Sequence, residues 1–135
     1  MKYLLDSNIC IRYLNHRSQS IIDKMESTSP NEIFVCSIVK AEMYFGAKRS
    51  QNPAKTRAEQ DAFLTLFQSL PFDDAAAEIY SDIRADLTAK GTPIGPNDFI
   101  IAAIALANDL ILVTHNIREF SRIKALKLED WEESL

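Results

Sequence analysis

The chain has 135 residues, of which 47% are hydrophobic and 25% charged, so it is expected to form one globular domain over residues 1–135 and not a disordered or fibrous protein. No apolar run reaches the roughly 18 residues of a membrane helix, and Asp6 interrupts the N-terminal run that a signal peptide needs, so we expect a cytoplasmic protein with no membrane partner. The net charge of −4 argues against the usual basic nucleic-acid-binding protein, although cations group at 48–57 and 118–127.

Short apolar runs that end in polar or turn-forming residues predict the strands. In chain order these are Lys2–Leu5, Ile33–Cys36, Leu70–Phe72, Leu110–Thr114 and a short edge strand at Leu126–Leu128.

Helical periodicity fills the intervals between these strands, at 7–16, 18–27, 37–48, 53–69, 73–91 and 97–109. Ser37 is predicted as an N-cap, and Pro53 falls in the first turn of its helix. The helix at 97–109 is apolar nearly all round and is therefore predicted to be buried. Strands that alternate with helices of this length predict an α/β fold, with three α/β/α layers and a central parallel sheet.

Acidic residues fall where strands end. In open parallel sheets, ligands bind beyond the carboxyl ends of the strands, at the point where the strand order reverses. Asp6 follows the first predicted strand, Glu42 lies five residues after Ser37, and Asp98 lies in the first turn of the apolar helix. Nearby polar residues are candidates to support these acids: Ser7, Asn8, Thr114, Asn116 and Glu119.

Each acid alone has a structural explanation. Asp6 would cap the first helix, Asp98 would favour a helix N-terminus, and Glu42 would be a solvated helix residue. Together these explanations are weaker, because Asp6 and Asp98 both border segments too apolar to lie at the surface. Three neighbouring carboxylates repel one another unless a cation is present, and oxygen ligands without His or Cys suit Mg²⁺ or Mn²⁺. Asp6 is therefore interpreted as a metal ligand placed where a phosphate can reach it.

Four segments, in order and at matching spacing, resemble the signature segments of PIN-domain nucleases and, more narrowly, of VapC toxins of bacterial toxin–antitoxin systems. They are LLDSNICI, SIVKAEMYFGAKRS, PIGPNDFIIAAIA and LILVTHNIREFSRI, and the resemblance continues to the closing LKLEDW. It implies a single PIN domain over residues 1–135 that acts as a Mg²⁺- or Mn²⁺-dependent endoribonuclease. It also implies that Asp6, Glu42 and Asp98 form the active site, that Asp6 and Asp98 hold the metal, and that the products carry a 5′-phosphate and a 3′-hydroxyl.

One position departs from the family pattern. Many PIN domains have a fourth acid where this chain has Asn116, and Glu119 follows three residues later. The form T-x-N-x-x-E-F resembles the VapC subgroup that cuts initiator tRNA in the anticodon stem-loop. The change leaves open whether one or two metal ions bind. The resemblance further implies a VapB-type antitoxin as partner and a homodimer.

Other classes stay open at this point. A receiver domain also has an Asp after its first strand, but it needs an acidic pair there, and a haloacid-dehalogenase-type phosphatase needs D-x-D where this chain has DSN. A PIN-like domain without catalysis would be an RNA- or protein-binding module.

Two further expectations concern partners. Cations that would contact RNA are Lys48, Arg49, Arg118 and Arg122, and candidate walls of an antitoxin groove are Tyr13, Leu14, Met43 and Phe45, of which at least two are expected to pack in the core.

Overall fold

Five short strands form one parallel sheet in the computed structural model, which describes residues 1–132. The strands are β1 (Tyr3–Leu5), β2 (Ile33–Cys36), β3 (Gln68–Leu70), β4 (Ile111–Val113) and β5 (Leu128–Glu129), and their order across the sheet is β3-β2-β1-β4-β5. Each neighbouring pair is parallel, which confirms the predicted α/β class with a parallel sheet.

Seven α-helices flank this sheet within the described part of the chain. They are α1 (Ser7–Leu14), α2 (Gln19–Ser27), α3 (Ser37–Lys48), α4 (Pro53–Leu64), α5 (Asp74–Ala89), α6 (Pro96–Ala107) and α7 (Ile117–Phe120), with a 3-10 turn at Pro30–Glu32. The chain moves from β1 towards β3 in one direction and then back past β1 to β4 and β5. Because crossovers between parallel strands are right-handed, this reversal puts helices on both faces of the sheet, in the predicted three layers. None of the helices in residues 1–132 has both the length and the apolar character needed to cross a membrane.

The central strand β1 marks the point where the strand order reverses. Leu4 pairs with Phe34 of β2 on one side and with Leu112 of β4 on the other. Leu4 and Leu5 are fully buried, so this strand is the middle of the core. Since all the strands run in one direction, the residues that follow β1, β2 and β4 emerge at one edge of the sheet.

Helix α6 is buried almost all round, as its composition predicts. Residues from Ile101 to Ala105 are all fully buried, and α6 packs closely against α5. Its first turn starts at Pro96, which fits a position where no helical N–H partner is needed. A helix held this tightly fixes the side chain of Asp98, the third residue of that first turn.

The predicted helix at 53–69 is too long. Helix α4 ends at Leu64, and the N–H groups of Leu66 and Phe67 donate to the carbonyls of Phe63 and Leu64, both at 3.2 Å, in a tight turn. The Phe67 ring packs edge-on against Phe63, with 5.1 Å between centroids. The apolar spacing that suggested a helix therefore comes from a turn that folds one aromatic ring back onto another.

The predicted bounds of two strands and one predicted helix cap were also wrong. The third strand covers Gln68–Leu70 and not Leu70–Phe72, since the next residue is Pro71, which has no N–H to donate to a neighbouring strand. The last strand is Leu128–Glu129 instead of Leu126–Leu128. Ser37 is not the N-cap of α3: Cys36 holds that position, and the Ser37 hydroxyl donates to the carbonyl of Leu70 at 3.4 Å.

Candidate active site

Asp6 lies directly after β1, at the reversal point of the sheet, and only 4% of its side chain is exposed. One carboxylate oxygen, Oδ1, accepts from the Ser7 backbone N–H at 2.8 Å, so Asp6 is the N-cap of α1. The other oxygen, Oδ2, accepts from the Thr114 hydroxyl at 2.7 Å. Burial raises the pKa of Asp6, and the bonds from Thr114 and Ser7 partly oppose that rise. The capping role is thus real, but it uses only one of two oxygens in a buried carboxylate.

Thr114 joins the end of β4 to this carboxylate. It is fully buried, and besides donating to Asp6 its hydroxyl oxygen accepts from the Asn116 backbone N–H at 3.0 Å. The hydroxyl therefore has both a fixed donor direction and a fixed acceptor direction, which locks the orientation of the Asp6 side chain. Thr114 therefore contacts Asp6 directly, the acid that it was predicted to support.

Glu42 reaches the same place from α3 and is half-buried. Burial is the largest cause of its raised pKa, followed by the charge of Asp6, whereas hydrogen bonds from the side chains of Ser7 and Asn97 lower it. Its Oε1 atom is buried and has no hydrogen-bond partner among the described residues. Asn97 was not among the predicted site residues, and the only signal for it is its place beside Asp98 in the first turn of α6.

Asp98 completes the set of three acids. Burial is the first cause that raises the pKa of Asp98 to about 6, and the charges of Asp6, Glu42 and Glu119 raise it further. Gly95 gives this carboxylate room, because a Cβ at Gly95 would lie 3.3 Å from Asp98 Oδ2. The mutual charge effects show that residues from four separate segments converge at one edge of the sheet.

Two predicted supporting residues contribute differently from expectation. Asn116 bonds Thr114 through its backbone N–H, and its side chain does not cap α7. The Oδ1 atom of Asn8 is buried without a hydrogen-bond partner in the described structure. Ser7 and Glu119 do lie beside them, at Glu42 and Asp98 respectively.

Among residues 1–132, the acids at this edge have no cationic partner. None of the ion pairs formed by residues 1–132 includes Asp6, Glu42, Asp98 or Glu119. We refer to these four residues as the acid cluster. Because like charges are held together with partial loss of water, a cation from outside the chain would be stabilised here.

The donor chemistry of the acid cluster fits a hard divalent ion. No group of three or more His, Cys, Asp or Glu side chains in the described residues is placed to hold a metal ion by itself. Mg²⁺ does not need such a cage, because it keeps several waters and takes one or two carboxylates together with substrate phosphate. The unpartnered Glu42 Oε1 and the raised pKa values of Asp6 and Asp98 are the marks of oxygen donors that lack a positive partner.

Comparisons with known proteins agree with this geometry. Residues 3–126 match the family model described as the PIN domain. The chain is 37% identical over 133 residues to ribonuclease VapC2 of Rickettsia felis, covering 98% of this chain and 99% of that protein. It is 36% identical over 131 residues to the tRNA(fMet)-specific endonuclease VapC of Shigella flexneri, covering 97% and 98%. Among solved structures, a chain of VapBC2 from Rickettsia felis, crystallised bound to a DNA fragment from their promoter, superposes with a TM-score of 0.91 at 36% identity, covering 98% of this chain and 100% of that one.

Proposed function

We propose that this chain, which belongs to the PIN-domain family and within it to the VapC ribonucleases, is a metal-dependent endoribonuclease that cuts initiator tRNA in the anticodon stem-loop. One observation carries the proposal: the acid cluster lies at the reversal point of the sheet, and no cation of the described chain pairs with it. Two observations support the choice of RNA: the tRNA(fMet) specificity for which the Shigella flexneri relative is named, and the T-x-N-x-x-E-F form at residues 114–120.

In this proposal, Asp6 and Asp98 hold Mg²⁺ or Mn²⁺, directly or through water. When bound, the ion would polarise a phosphoryl oxygen and lower the pKa of a water molecule. The protein contributes orientation: Thr114 and the Ser7 N–H hold both oxygens of Asp6 in one rotamer. Fixed carboxylates of this kind need no rearrangement when the charged substrate arrives.

Glu42 orients the attacking water in this assignment. Ser7 and Asn97 favour its charged form, while its buried Oε1 remains without a partner among the described residues. A carboxylate with a raised pKa is a better proton acceptor than an ordinary surface Glu. The expected products are a 5′-phosphate and a 3′-hydroxyl.

The proposal also covers partners and location. The chain is the ribonuclease toxin of a VapBC-type pair, and we propose that a VapB-type antitoxin neutralises it in the cytoplasm and that the active form is a homodimer. Structures of VapBC complexes among its neighbours support the antitoxin.

The test is to incubate the purified chain with initiator tRNA, elongator methionine tRNA and an unrelated messenger RNA, each with Mg²⁺, Mn²⁺ or EDTA, and to sequence the RNA ends. We expect one cut, in the anticodon stem-loop of initiator tRNA, in both metals and not in EDTA. Asp98→Asn, treated identically, is the control for a contaminating nuclease. Cuts scattered across all three RNAs would contradict the substrate, and no cut in any RNA would favour the non-catalytic binding module.

A further inference from the structure

A groove of about 300 Å³ runs between α1, α3 and α4, close to the acid cluster. We refer to it as the α3 groove. Ile11 and Leu14 form one side, Met43, Gly46 and Ser50 form the second side, and Gln60 belongs to the third. It is lined by both apolar and hydrogen-bonding side chains, as expected where a ligand has a flat apolar face and a polar edge.

The α3 groove is joined to the candidate active site by a single helix face. Gly46 and Arg49 lie four and seven residues after Glu42 in α3 and its C-cap, which places all three on the same side. Phe45 borders this line, and its side chain is 62% exposed. The Arg49 guanidinium carbon lies 5.3 Å from the centre of the Phe45 ring. An exposed ring and a cation therefore lie within two helical turns of Glu42.

Gly46 has no role in packing that would explain it. A Cβ at this position would meet nothing within 4 Å, so the fold itself leaves room for a side chain. Gly in a helix interior is less stable than Ala, because the unfolded chain loses more freedom. What the bare backbone does provide is an open floor for the α3 groove, one turn from Glu42.

Gln60 adds an unpaired hydrogen-bonding group. Its side chain is only 5% exposed, and its Nε2 donates to the Met43 carbonyl at 2.9 Å. Its Oε1 is buried and has no partner among the described residues. A buried acceptor without a donor is unfavourable in the free protein, and a ligand N–H that reached it would remove that penalty.

The segment that contributes two of the lining residues carries positive charge. Residues 48–57 contain Lys48, Arg49, Lys55 and Arg57 and no acid, in a chain with a net charge of −4. Ser50 and Thr56, which both line the groove, belong to this segment. Glu59 also lines the groove, so the positive field that a phosphate chain would meet comes from the cations beside the groove and not from its lining.

We propose that the α3 groove receives an unpaired nucleotide of the RNA substrate. The base lies over Gly46 between the apolar walls and presents an N–H to Gln60, a neighbouring base stacks on Phe45, and Arg49 contacts the intervening phosphate. Sequence-specific proteins generally read RNA through such splayed bases in loops. The inference rests on the proposed ribonuclease function, and it adds a site that selects looped over paired RNA.

The experiment fills the groove without disturbing the fold. Gly46→Leu places an apolar side chain over the groove floor, and Gly46→Ala places a smaller one. Ala58→Leu is the matched control, because Ala58 is exposed on α4 and does not line the groove. Affinity is measured in EDTA for a fluorescein-labelled anticodon stem-loop of initiator tRNA and for a fully paired duplex of the same stem. KM and kcat for the stem-loop are then measured in Mg²⁺, and the thermal unfolding midpoint is recorded for each variant.

For Gly46→Leu we expect stem-loop affinity to fall by about tenfold or more, the effect of losing a base-binding contact, with duplex affinity unchanged. The KM of Gly46→Leu for the stem-loop should rise with little change in kcat. The stem-loop affinity and KM of Gly46→Ala should lie between those of the wild type and Gly46→Leu, and those of Ala58→Leu should match the wild type. Both Gly46 variants should unfold at a midpoint no lower than the wild type. Arg49→Ala changes an exposed side chain and should weaken stem-loop binding without any change at Gly46. This variant therefore tests the inference if Gly46→Leu folds poorly.

Equal stem-loop affinity in the wild type, Gly46→Leu and Arg49→Ala would overturn the inference. A variant that binds the stem-loop normally but no longer binds a VapB-type antitoxin would also overturn it, since the groove would then belong to a peptide. A wild-type chain that binds the stem-loop through this groove but cuts no RNA would leave the inference standing and contradict the proposed function.

Discussion

Two groups of charged side chains lie near the end of β4, and they differ in how their charges are balanced. In the first, the acid cluster, four acids converge with no cation from the described chain. In the second, the C-terminal segment is tied back to the domain by an ion pair and a hydrogen bond. Arg12 of α1 lies 2.8 Å from Glu132, and the His115 Nδ1 lies 2.9 Å from Asp130.

The difference separates charges that support the fold from charges that do not. The Arg12–Glu132 pair joins the first helix to a segment 120 residues away, so its attraction favours the native state. The acid cluster places repelling and desolvated carboxylates together, which opposes folding. A group that opposes folding and is still assembled from four segments points to a partner outside the chain, which in the proposed function is a cation together with a phosphate.

The largest expected effect is a loss of RNA cleavage when an acid of the acid cluster is replaced. Asp98→Asn and, separately, Asp6→Asn should reduce RNA cleavage more than about 100-fold, the upper end of what losing a supporting partner of a metal ligand already causes. The fold should survive, because each change removes a repelling charge. Cleavage of the labelled stem-loop in Mg²⁺ and thermal unfolding in EDTA measure the two effects. Full activity in Asp98→Asn would contradict the assignment of the metal site.

A smaller loss should follow when the acids remain but their support is removed. Thr114→Val keeps the shape of the side chain and removes the hydroxyl that holds Asp6 Oδ2 at 2.7 Å. We expect cleavage to fall about 10- to 100-fold, with a rise in the Mg²⁺ concentration needed for half-maximal activity. Thr114→Ser, which keeps the hydroxyl, is the matched control. A loss of the same size in both variants would point to packing at this fully buried position instead of orientation of Asp6.

Loss of the ion pair between Arg12 and Glu132 should lower stability and leave cleavage unchanged, the reverse of the effect expected at the acid cluster. Arg12→Ala removes the guanidinium that lies 2.8 Å from Glu132, a side chain that is only 16% exposed, while Arg12 itself is 41% exposed. We expect the free energy of unfolding to fall by about 1 kcal/mol, discounted for solvent screening, with kcat/KM for the stem-loop unchanged. Arg12→Met, which keeps an apolar stem without the charge, separates packing from charge. Loss of cleavage comparable to that of Asp98→Asn would mean that the two groups act together.

Much of this arrangement was predictable from local sequence patterns. The periodicity of apolar residues predicts the order of strands and helices, and the rule for parallel sheets predicts that Asp6, Glu42 and Asp98 meet at one edge. The resemblance to PIN-domain and VapC proteins, based on four segments, is confirmed by the family match over residues 3–126 and by the relatives.

The features that were missed depend on contacts between distant segments. The end of α4 at Leu64 is decided by how Phe67 folds back onto Phe63, which a helical spacing rule cannot distinguish from a longer helix. The bond between Asn97 and Glu42 depends on the relative rotation of α3 and α6. The protonation of the acid cluster depends on burial and on all its members at once, so it too had to come from the structure.

The smallest expected effect is a dependence of the free energy of unfolding on pH, which follows from the protonation of the acid cluster. Burial and the neighbouring acids raise the pKa of Asp98 from 3.8 to about 6 in the folded chain. Between these two values the native state binds more protons than the unfolded state, so the free energy of unfolding falls as pH rises through this window. The raised pKa values of Asp6 and Glu42 act in the same direction. Because Asp98 is not fully buried, solvent screening reduces its own contribution to about 1 kcal/mol.

Chemical denaturation in EDTA, from about pH 4 to about pH 7, measures this contribution as the difference in slope between the wild type and Asp98→Asn. We expect the variant to be the more stable of the two at pH 7 and the two to converge near pH 4, where the wild-type carboxyl is protonated. Asp82→Asn, at an exposed position on α5, is the matched control and should follow the wild type. Saturating Mg²⁺ should flatten the wild-type curve, because a bound cation offsets the repulsion that the rising pH exposes. Parallel curves for the wild type and Asp98→Asn would mean that Asp98 is not held against the other acids, and the contrast between the two charged groups would then rest on Asp6 and Glu42 alone.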